Sequence, residues 1–352
     1  MKKHIVYLLS IACLALSACK SQRPTTLNQS QNSSTLTAHD TLVIMSYNVE
    51  NFFDPEDDPT RFDDDFTPEG VYHWTLPRMM NKARRLARVI TSAGGRVRPD
   101  IVGLCEVEGL QATNVLANET GLSNKYVAYK SIAYPTPDGR GIGVAILYDA
   151  QRVELIGSYP IFVSKPDSGL HTRDVLYAKF RLRTTSDTVH VMMNHWPSKY
   201  SGAKESVWKR NHVAARVRHS CDSLLSINRN AQIVLLGDFN DTADCEAITD
   251  ILGARTLTNV GHLLNLSADT QDFSYRYKGR WQTIDHIIVS QGTCHVSRPK
   301  FSVFRAPYLL EDDDLYPGQK PKRTYIGRRY NYSVDNLGGY SDHLPVLVKI
   351  PM

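Results

Sequence analysis

The sequence predicts an α/β protein with a four-layer α/β/β/α sandwich, in which two mixed β-sheets pack face to face and helices cover the outside. Short β-rich runs alternate with helical stretches, and many neighbouring runs are separated by hairpin-length connections. No Pro/Gly/Ser-rich linker divides residues 41–352, and no internal repeat is visible. A chain of 352 residues can bury a large core. We therefore predict one domain over residues 41–352.

The elements follow from hydrophobic periodicity. Runs rich in β-branched and aromatic residues predict strands over residues 41–47, 100–105, 126–131, 143–148, 152–159, 175–183, 188–194, 232–236, 283–290, 301–305 and 344–350. A 3.6-residue period predicts helices over residues 76–91 and 201–225, and Gly94-Gly95 is a plausible stop after the first. Weaker helical patterns cover residues 111–119 and 244–252.

The N-terminus has the pattern of an export signal. A basic stretch at residues 2–4 precedes an apolar run at residues 5–16 that is too short to span a bilayer. Small residues stand directly before Cys19, as in a bacterial lipobox. We expect residues 1–18 to be a lipoprotein signal peptide and Cys19 to carry a lipid anchor at the cell envelope; a plain secretory leader is the alternative. Residues 19–40 are polar and predict a flexible tether.

Charge and cysteine content narrow the function only a little. The formal net charge of +5 falls to +3 if the two leader lysines are removed, which suits a polyanionic substrate without requiring one. Cys105, Cys221, Cys245 and Cys294 lack the spacing of a zinc site or a redox pair. Apolar neighbours favour a buried thiol at Cys105.

Polar side chains stand where predicted strands end. The buried run at residues 233–236 stops at Gly237-Asp238-Phe239-Asn240, which places a carboxylate and an amide two positions apart. A carboxylate can accept a proton from water or bind a metal, and an amide can donate to a phosphate oxygen, so the pair fits hydrolysis at phosphorus. A simple turn is the alternative, because Asp and Asn also favour turns.

Five further strand boundaries carry similar groups, which are Asn48, Glu106, His195, Asp285 and the Asp342-His343 pair. Oxygen ligands without a cysteine cluster favour Mg²⁺, Mn²⁺ or Ca²⁺ over zinc. Phosphoryl transfer also needs negative charge neutralised and water held in line with the leaving group. This requirement explains why polar groups would converge from several strands.

Together these motifs resemble, in order, those of the endonuclease/exonuclease/phosphatase superfamily, which has the DNase I-like fold. The motifs are Tyr47-Asn48-Val49-Glu50-Asn51, Cys105-Glu106-Val107-Glu108, Asn194-His195-Trp196-Pro197-Ser198, Gly237-Asp238-Phe239-Asn240, Ile284-Asp285-His286 and Ser341-Asp342-His343-Leu344-Pro345-Val346. The resemblance covers about residues 41–352, and with the leader it indicates a bacterial lipoprotein member.

The resemblance implies a metal site and a substrate site. Asn48 and Glu106 would hold Mg²⁺, with Asp342 in the same or a second metal position. Asn240 would hold a non-bridging phosphate oxygen. Arg140 and Arg173, each in a Gly- or Asp-containing loop, are further candidates for phosphate contacts.

The resemblance also implies the acid–base groups. Asp238 would orient or deprotonate the attacking water. His343, oriented by Asp285, would donate to the phosphate or help to activate the water. His195 would act as the acid for the leaving oxygen or as a phosphate ligand.

Several other residues have less specific patterns. We expect no direct role for Glu50 or Glu108, and strand alternation predicts that His286 faces away from the site. The acidic stretch at residues 54–65 lacks EF-hand spacing and predicts a solvated loop. Basic and aromatic residues alternate over residues 320–330, which is consistent with either a nucleic-acid-binding segment or a solvent-exposed surface loop.

The sequence therefore predicts a metal-dependent phosphoesterase, most simply a monomer acting on nucleic acid as an endonuclease or exonuclease. A sphingomyelinase-like or other lipid or small-molecule phosphodiesterase or phosphatase is the alternative. A catalytically silent binding module is a third class, but Glu106, Asp238 and His343 are all present.

Overall fold

The computed structural model describes residues 41–95, 97–200, 202–255, 263–268, 270–324 and 338–352. The predicted signal peptide, Cys19 and the tether lie outside these residues. Residues 325–330 of the basic and aromatic segment lie outside them as well. No helix in the described part of the chain has the length and apolar character needed to cross a bilayer.

The first large sheet of the described residues has the order β14-β17-β1-β2-β4-β3. Its strands are β1 (Thr41–Phe52), β2 (Ile101–Val107), β3 (Tyr129–Ala133), β4 (Gly143–Asp149), β14 (Lys300–Val303) and β17 (Val346–Pro351). The sheet is mixed, because β1 is parallel to β2 and antiparallel to β17.

The second large sheet has the order β5-β6-β7-β8-β13-β10-β9. Its strands are β5 (Val153–Ile161), β6 (Val175–Leu182), β7 (Thr188–His195), β8 (Gln232–Asp238), β9 (Ala254–Arg255), β10 (Leu263–Asn265) and β13 (Asp285–Ser290). β7 is parallel to β8, whereas β13 is antiparallel to it. Two small hairpins join β11 (Tyr275–Tyr277) to β12 (Arg280–Gln282) and β15 (Leu310–Asp312) to β16 (Gln319–Pro321).

Successive side chains of a strand point to opposite faces of its sheet, and this alternation separates the apolar layers of the sandwich. Val234 and Leu236 of β8 pack between the two sheets, whereas Ile233 and Leu235 face outwards, where α3 (Val207–Ile227) covers them. On the other side, α1 (Leu76–Ala93) and α2 (Gly109–Asn118) cover the outer face of the first sheet. The predicted four-layer arrangement of two mixed sheets with helices outside is confirmed.

Three predicted elements differ from the structure. The first strand runs on to Phe52, because left-handed backbone at Glu50 and Asn51 forms a bulge rather than an end. The helix predicted over residues 201–225 begins only at Val207, since the Ser206 hydroxyl donates to the Gly202 carbonyl in a preceding turn. The helix predicted over residues 244–252 is confirmed only in part, as a five-residue π-helix, Ala247–Ile251.

Candidate active site

The polar residues at the strand ends meet at one edge of the sandwich. β1 and β2 run parallel, and so do β7 and β8, so each pair brings its carboxyl ends to the same place. In the second sheet His195 and Asp285 both pair with Asp238 in register. Three of the predicted residues are therefore neighbours on adjacent strands.

One amide joins the two sheets at this edge. The Asn48 Nδ2 donates to Glu106 Oε1 at 3.2 Å and to Asp238 Oδ2 at 3.1 Å. The second oxygen of Glu106 accepts from the Asn51 backbone N–H at 2.9 Å. Glu106 itself has a left-handed φ of 63°, a conformation that side-chain-bearing residues adopt infrequently.

A buried carboxylate holds the ring of His343. The His343 Nδ1 lies 2.7 Å from Asp285 Oδ2, which also accepts from the Ser274 hydroxyl at 2.6 Å. The ring of Tyr275 packs against His343 with centroids 4.6 Å apart. With Nδ1 bound to Asp285, Nε2 points towards Asp238, whose Oδ2 lies 3.8 Å away.

The pKa values of the two site histidines, His195 and His343, are shifted in opposite directions. Burial alone lowers the pKa of His343, but the charge and the hydrogen bond of Asp285 outweigh it and hold that pKa well above its usual range. Burial, with the charges of Arg173 and Arg140, holds the pKa of His195 well below its usual range. These shifts favour the protonated ring of His343 and the neutral ring of His195.

Asp238 lies between these two histidines. Burial raises its pKa to about 7, although His343 pulls it down. The His195 Nε2 is 3.7 Å from Asp238 Oδ2 and 4.0 Å from Glu106 Oε1, distances too long for hydrogen bonds. Within the described residues the His195 Nδ1 is buried without a partner.

Asn240 follows β8 in a left-handed conformation, with a φ of 51°. Its backbone N–H donates to Asp238 Oδ1 at 2.8 Å, and its Nδ2 donates to the Trp196 carbonyl at 2.9 Å. The side chain lines the cleft beside Asp238. Because these two bonds fix its orientation, the second amide hydrogen is available to a ligand.

Arg140 and Arg173 both line the cleft, but they differ in freedom. Arg173 is buried, and its guanidinium bonds to Asp138 Oδ2 at 2.8 Å and to the Trp196 carbonyl at 3.1 Å. Arg140 is more exposed and lies 3.4 Å from Asp138 Oδ1. Arg173 therefore acts mainly through position and charge, whereas Arg140 can reach into the cleft.

The cleft has a volume of about 510 Å³. It is lined by Glu106, Arg140, Arg173, His195, Ser198, Tyr200, Asp238, Asn240, Tyr275, Ile284, Asp342 and His343. Sequence reasoning did not assign a site role to Tyr200, Tyr275 or Ile284. An available signal for Tyr275 was the alternating pattern Tyr275-Arg276-Tyr277, ten residues before Asp285.

A second ion-pair system supports Asp342. The Arg323 Nη2 lies 3.4 Å from Asp342 Oδ2, and its Nε donates to Glu50 Oε1 at 2.6 Å. The Thr324 backbone N–H donates to the other oxygen of Glu50, and the Lys82 ammonium donates to the Glu50 carbonyl. Glu50 is thus a buried anchor for Arg323, outside the cleft lining as expected.

In the described part of the basic and aromatic segment, residues 320–324, Lys320 and Arg323 contact different parts of the molecule. Arg323 stands beside Asp342, whereas Lys320 lies 3.8 Å from Glu311 and 3.9 Å from Asp313. The acidic residues upstream therefore offset Lys320. Only the Arg323 end of the described segment reaches the site.

The remaining predictions have mixed outcomes. Glu108 lies outside the cleft lining and accepts from the Asp54 backbone N–H at 2.9 Å. His286 faces the other side of its strand, where Nδ1 meets the Ser267 hydroxyl and Nε2 the Asp241 carbonyl, so its structural role is confirmed. The loop at residues 54–65 is largely exposed, but the prediction is wrong for Asp63, which is buried and accepts from the Asp58 N–H. Cys105 is a buried free thiol, as predicted.

The residues around Glu106 fit a hard divalent cation. The carboxylates of Glu106 and Asp342 both open onto the cleft and are oxygen donors of the kind Mg²⁺ and Ca²⁺ prefer. Asn48 turns its Nδ2 to Glu106, whereas its Oδ1 accepts from the Glu50 N–H at 3.0 Å, so it holds Glu106 in place rather than offering an oxygen to the cation. A tighter group among the described residues, Asp238, Asp285 and His343, has ligand atoms within 4.8 Å of one another. The Asp285–His343 hydrogen bond already accounts for two of its members.

Two mixed sheets in a four-layer sandwich, with carboxylates, amides and histidines at their shared edge, are the arrangement of the DNase I-like class of proteins. The family model described as "Endonuclease/Exonuclease/phosphatase family" matches residues 43–352, and the chain belongs to this family. Enzymes of this family generally use divalent metals.

Relatives and solved structures agree with this assignment. The chain is 26% identical over 216 residues to Protein angel of Drosophila melanogaster, and the match covers 56% of each protein, so the chain spans just over half of that relative's length. A humanized D. rerio TDP2 shares the fold with a TM-score of 0.54 and 14% identity, covering 89% of this chain and all of that one. An endonuclease/exonuclease/phosphatase family protein from Bacteroides thetaiotaomicron has a TM-score of 0.53 and 16% identity, covering 88% and 97%. The human Nocturnin catalytic domain has a TM-score of 0.52 and 14% identity, and the match covers 88% of this chain and 94% of that one.

Proposed function

We propose that this protein is a divalent-metal-dependent phosphodiesterase that hydrolyses nucleic acid. One observation carries the proposal: the Asp285–His343 pair, Asp238 and Asn240 converge beside the oxygen donors Glu106 and Asp342. This arrangement combines acid–base groups, a phosphate ligand and a metal position within one cleft. A silent binding module has no need of such a set.

Glu106 and Asp342 would hold the metal. When bound there, a divalent cation neutralises charge on the phosphate and polarises it for attack. The donor set favours Mg²⁺, and Mn²⁺ or Ca²⁺ is compatible with the same oxygens. Asn48 would act through Glu106 and not as a direct ligand, because its Nδ2 donates to that carboxylate and its Oδ1 accepts from the Glu50 N–H at 3.0 Å.

Asp238 would take the proton from the attacking water. Its pKa of about 7 suits a general base near neutral pH, and the Asn240 N–H and Asn48 amide hold its carboxylate in place. Asn240 would present its free amide hydrogen to a non-bridging oxygen of the phosphate. The water would then lie between the base and the phosphorus.

The electrostatics separate the roles of the two histidines. The imidazolium of His343 can stabilise a charged phosphate oxygen and release a proton to the leaving oxygen, while Asp285 retains the opposite charge. The neutral ring of His195 fits donation of a hydrogen bond to a phosphate oxygen better than proton delivery. Of its two predicted roles, we favour that of phosphate ligand.

Nucleic acid is the substrate class that the cleft favours. Arg140 and Arg173 add positive charge to the lining of the cleft, and Tyr275 adds an aromatic ring. A phosphodiester flanked by bases uses both kinds of group. A sphingomyelinase-like activity shares the same catalytic groups and is the second candidate.

A substrate panel distinguishes these activities. The purified full-length protein is given single-stranded DNA, RNA, plasmid DNA, sphingomyelin vesicles and bis(p-nitrophenyl) phosphate, each with Mg²⁺ and with EDTA. We expect Mg²⁺-dependent cleavage of at least one nucleic acid and of the chromogenic diester. Cleavage of sphingomyelin without nucleic acid would assign the protein to the second candidate.

We also propose that the protein is exported and anchored at the cell envelope through Cys19. The support is the leader pattern alone, with small residues directly before the cysteine. Fractionation of cells should find the wild type with the membranes and Cys19→Ala in the soluble fraction. Equal distribution of the two proteins argues against the anchor.

A further inference from the structure

A small hairpin leads from the active site to the surface. β11 and β12 are joined by Lys278 and Gly279, which have φ values of 46° and 79°, as in the tight two-residue turns of hairpins. At its base the Ser274 carbonyl accepts from the Leu344 N–H, and Tyr275 pairs with His343. The hairpin therefore begins at the catalytic histidine.

The two faces of the hairpin differ in character. Tyr275 faces the cleft, and strand alternation puts Tyr277 and its cross-strand partner Arg280 on the same face. Tyr277 is 52% exposed, and the Lys278 ammonium lies 5.4 Å from the centre of its ring. This face, which we call the hairpin track, consists of Tyr275, Tyr277 and Arg280 with Lys278 at its tip.

The opposite face holds the hairpin in place. Arg276 donates to the carbonyls of Gln319 and Pro317 at 2.5 and 2.7 Å and lies 3.3 Å from Asp313. The Arg305 guanidinium stacks over the ring of Trp281 at 4.0 Å. Because these contacts fix the opposite face of the hairpin, the hairpin track loses little conformational entropy when it binds a ligand.

We propose that the hairpin track binds one strand of a single-stranded polynucleotide next to the phosphate being cleaved. A base stacks on Tyr277, and Lys278 and Arg280 meet the neighbouring phosphates. Aromatic rings alternating with cations along a groove are the groups that single-stranded nucleic acid requires, and stacking demands an unpaired base. The inference rests on the proposed nuclease function and specifies its substrate.

A lipid bilayer is the alternative binding partner for the hairpin track. Leu315 and Tyr316 are exposed near the turn, and Tyr316 contacts the position where Gly279 would carry a side chain. Two observations favour nucleic acid instead. Arg280 and Lys278 surround the exposed tyrosine, and the track continues directly into the cleft at Tyr275.

The test compares Tyr277→Ala and Arg280→Ala with Tyr126→Ala in the full-length protein. Tyr126 is a matched control because it is 71% exposed and has Lys125 4.7 Å from its ring, but it does not line the cleft. Two quantities are measured: binding of a fluorescein-labelled 12-nucleotide DNA by anisotropy in EDTA, and kcat/KM for that DNA and for bis(p-nitrophenyl) phosphate with Mg²⁺.

We expect each track variant to weaken DNA binding about tenfold, in line with the loss of one stacked base or phosphate contact. The ratio of kcat/KM for DNA to that for the small diester should fall by a similar factor, and Tyr126→Ala should change neither quantity. Unchanged DNA binding in both track variants overturns the inference. So does Tyr277-dependent sedimentation with phosphatidylcholine vesicles in a protein that does not bind DNA.

The two proposals fail in different ways. If the wild type binds DNA through Tyr277 but hydrolyses no diester, the track stands and the nuclease function fails. If the small diester is hydrolysed and DNA is neither bound nor cleaved, the phosphodiesterase chemistry stands and the track fails.

Discussion

At the scale of single residues, the site depends on charged groups whose interactions are strengthened by burial. Asp285 is buried, and its Oδ2 is bonded to both His343 and Ser274. This carboxylate makes the largest contribution against burial to the raised pKa of His343, and the charges of Asp238 and Asp342 add to it. The resemblance to the family implied the Asp285–His343 pairing, whereas the opposite pKa shifts of the two histidines depend on tertiary contacts that the sequence does not show.

Asp285→Asn therefore tests the origin of the raised pKa of His343. The variant preserves the shape of Asp285 and removes its negative charge, so the pKa of His343 should fall, with only the charges of Asp238 and Asp342 left to oppose burial. We expect kcat for bis(p-nitrophenyl) phosphate to fall about a hundredfold or more, with a smaller change in KM. A steady-state comparison with the wild type that shows equal kcat would rule out this role for Asp285.

Glu108 gives a pH-dependence of stability that is independent of catalysis. Burial, followed by the charge of Asp54, raises the pKa of Glu108 to about 8. A carboxyl whose pKa is higher in the folded than in the unfolded protein costs no stability when protonated in both states. It destabilises the fold progressively as pH rises from its unfolded pKa through about 8.

Glu108→Gln should consequently raise the Tm relative to wild type at pH 9, and the difference should shrink towards pH 5. Scanning calorimetry or a dye-based melt over this pH range provides the measurement. Activity should persist, because Glu108 does not line the cleft. A Tm difference that is constant with pH would refute the raised pKa.

At the scale of elements, the long apolar runs and the two long helices were predictable because periodicity is strong over many residues. The bulge of β1 was not, since it depends on left-handed backbone at two non-glycine residues. The three-residue strands β11 and β12 were missed for a different reason. They are too short for a period of two to stand out, yet Tyr275 packs on His343 from this hairpin.

Gly237 lets β7 and β8 come together directly before Asp238. It has a φ of 139°, and a Cβ at this position would lie 1.9 Å from the Asn194 carbonyl oxygen. We expect Gly237→Ala to lower the free energy of unfolding by about 2 kcal/mol or more, because backbone must shift. Phosphodiesterase activity should fall as well, since Asp238 and His195 flank the contact.

Gly157→Ala on β5 is the matched control for this prediction. A Cβ there meets nothing within 4 Å, so urea unfolding should find its free energy within about 0.5 kcal/mol of wild type. Equal stability of Gly237→Ala and Gly157→Ala would show that β7 and β8 do not need the close approach.

At the scale of the whole molecule, the sandwich explains how residues nearly 300 positions apart in the chain form one site. The Ser341 hydroxyl donates to the Asn48 carbonyl at 2.6 Å, which ties the segment before the last strand, β17, to the first strand, β1. Asn48 then bridges to Asp238 in the other sheet. Motif order indicated this convergence, whereas the anchoring of Arg323 by Glu50 emerged only from tertiary contacts.

The central claim is that one cleft hydrolyses phosphodiesters with Asp238 as base and His343 as charged donor. The most direct measurement is the initial rate of bis(p-nitrophenyl) phosphate hydrolysis, with Mg²⁺, by full-length wild type, Asp238→Asn, His343→Ala and the control His219→Ala, whose side chain is exposed on α3. We predict that EDTA abolishes the wild-type rate and that the two site variants lose roughly two orders of magnitude or more, while His219→Ala matches wild type. A wild-type rate in either site variant, or a rate that survives EDTA, would contradict the account.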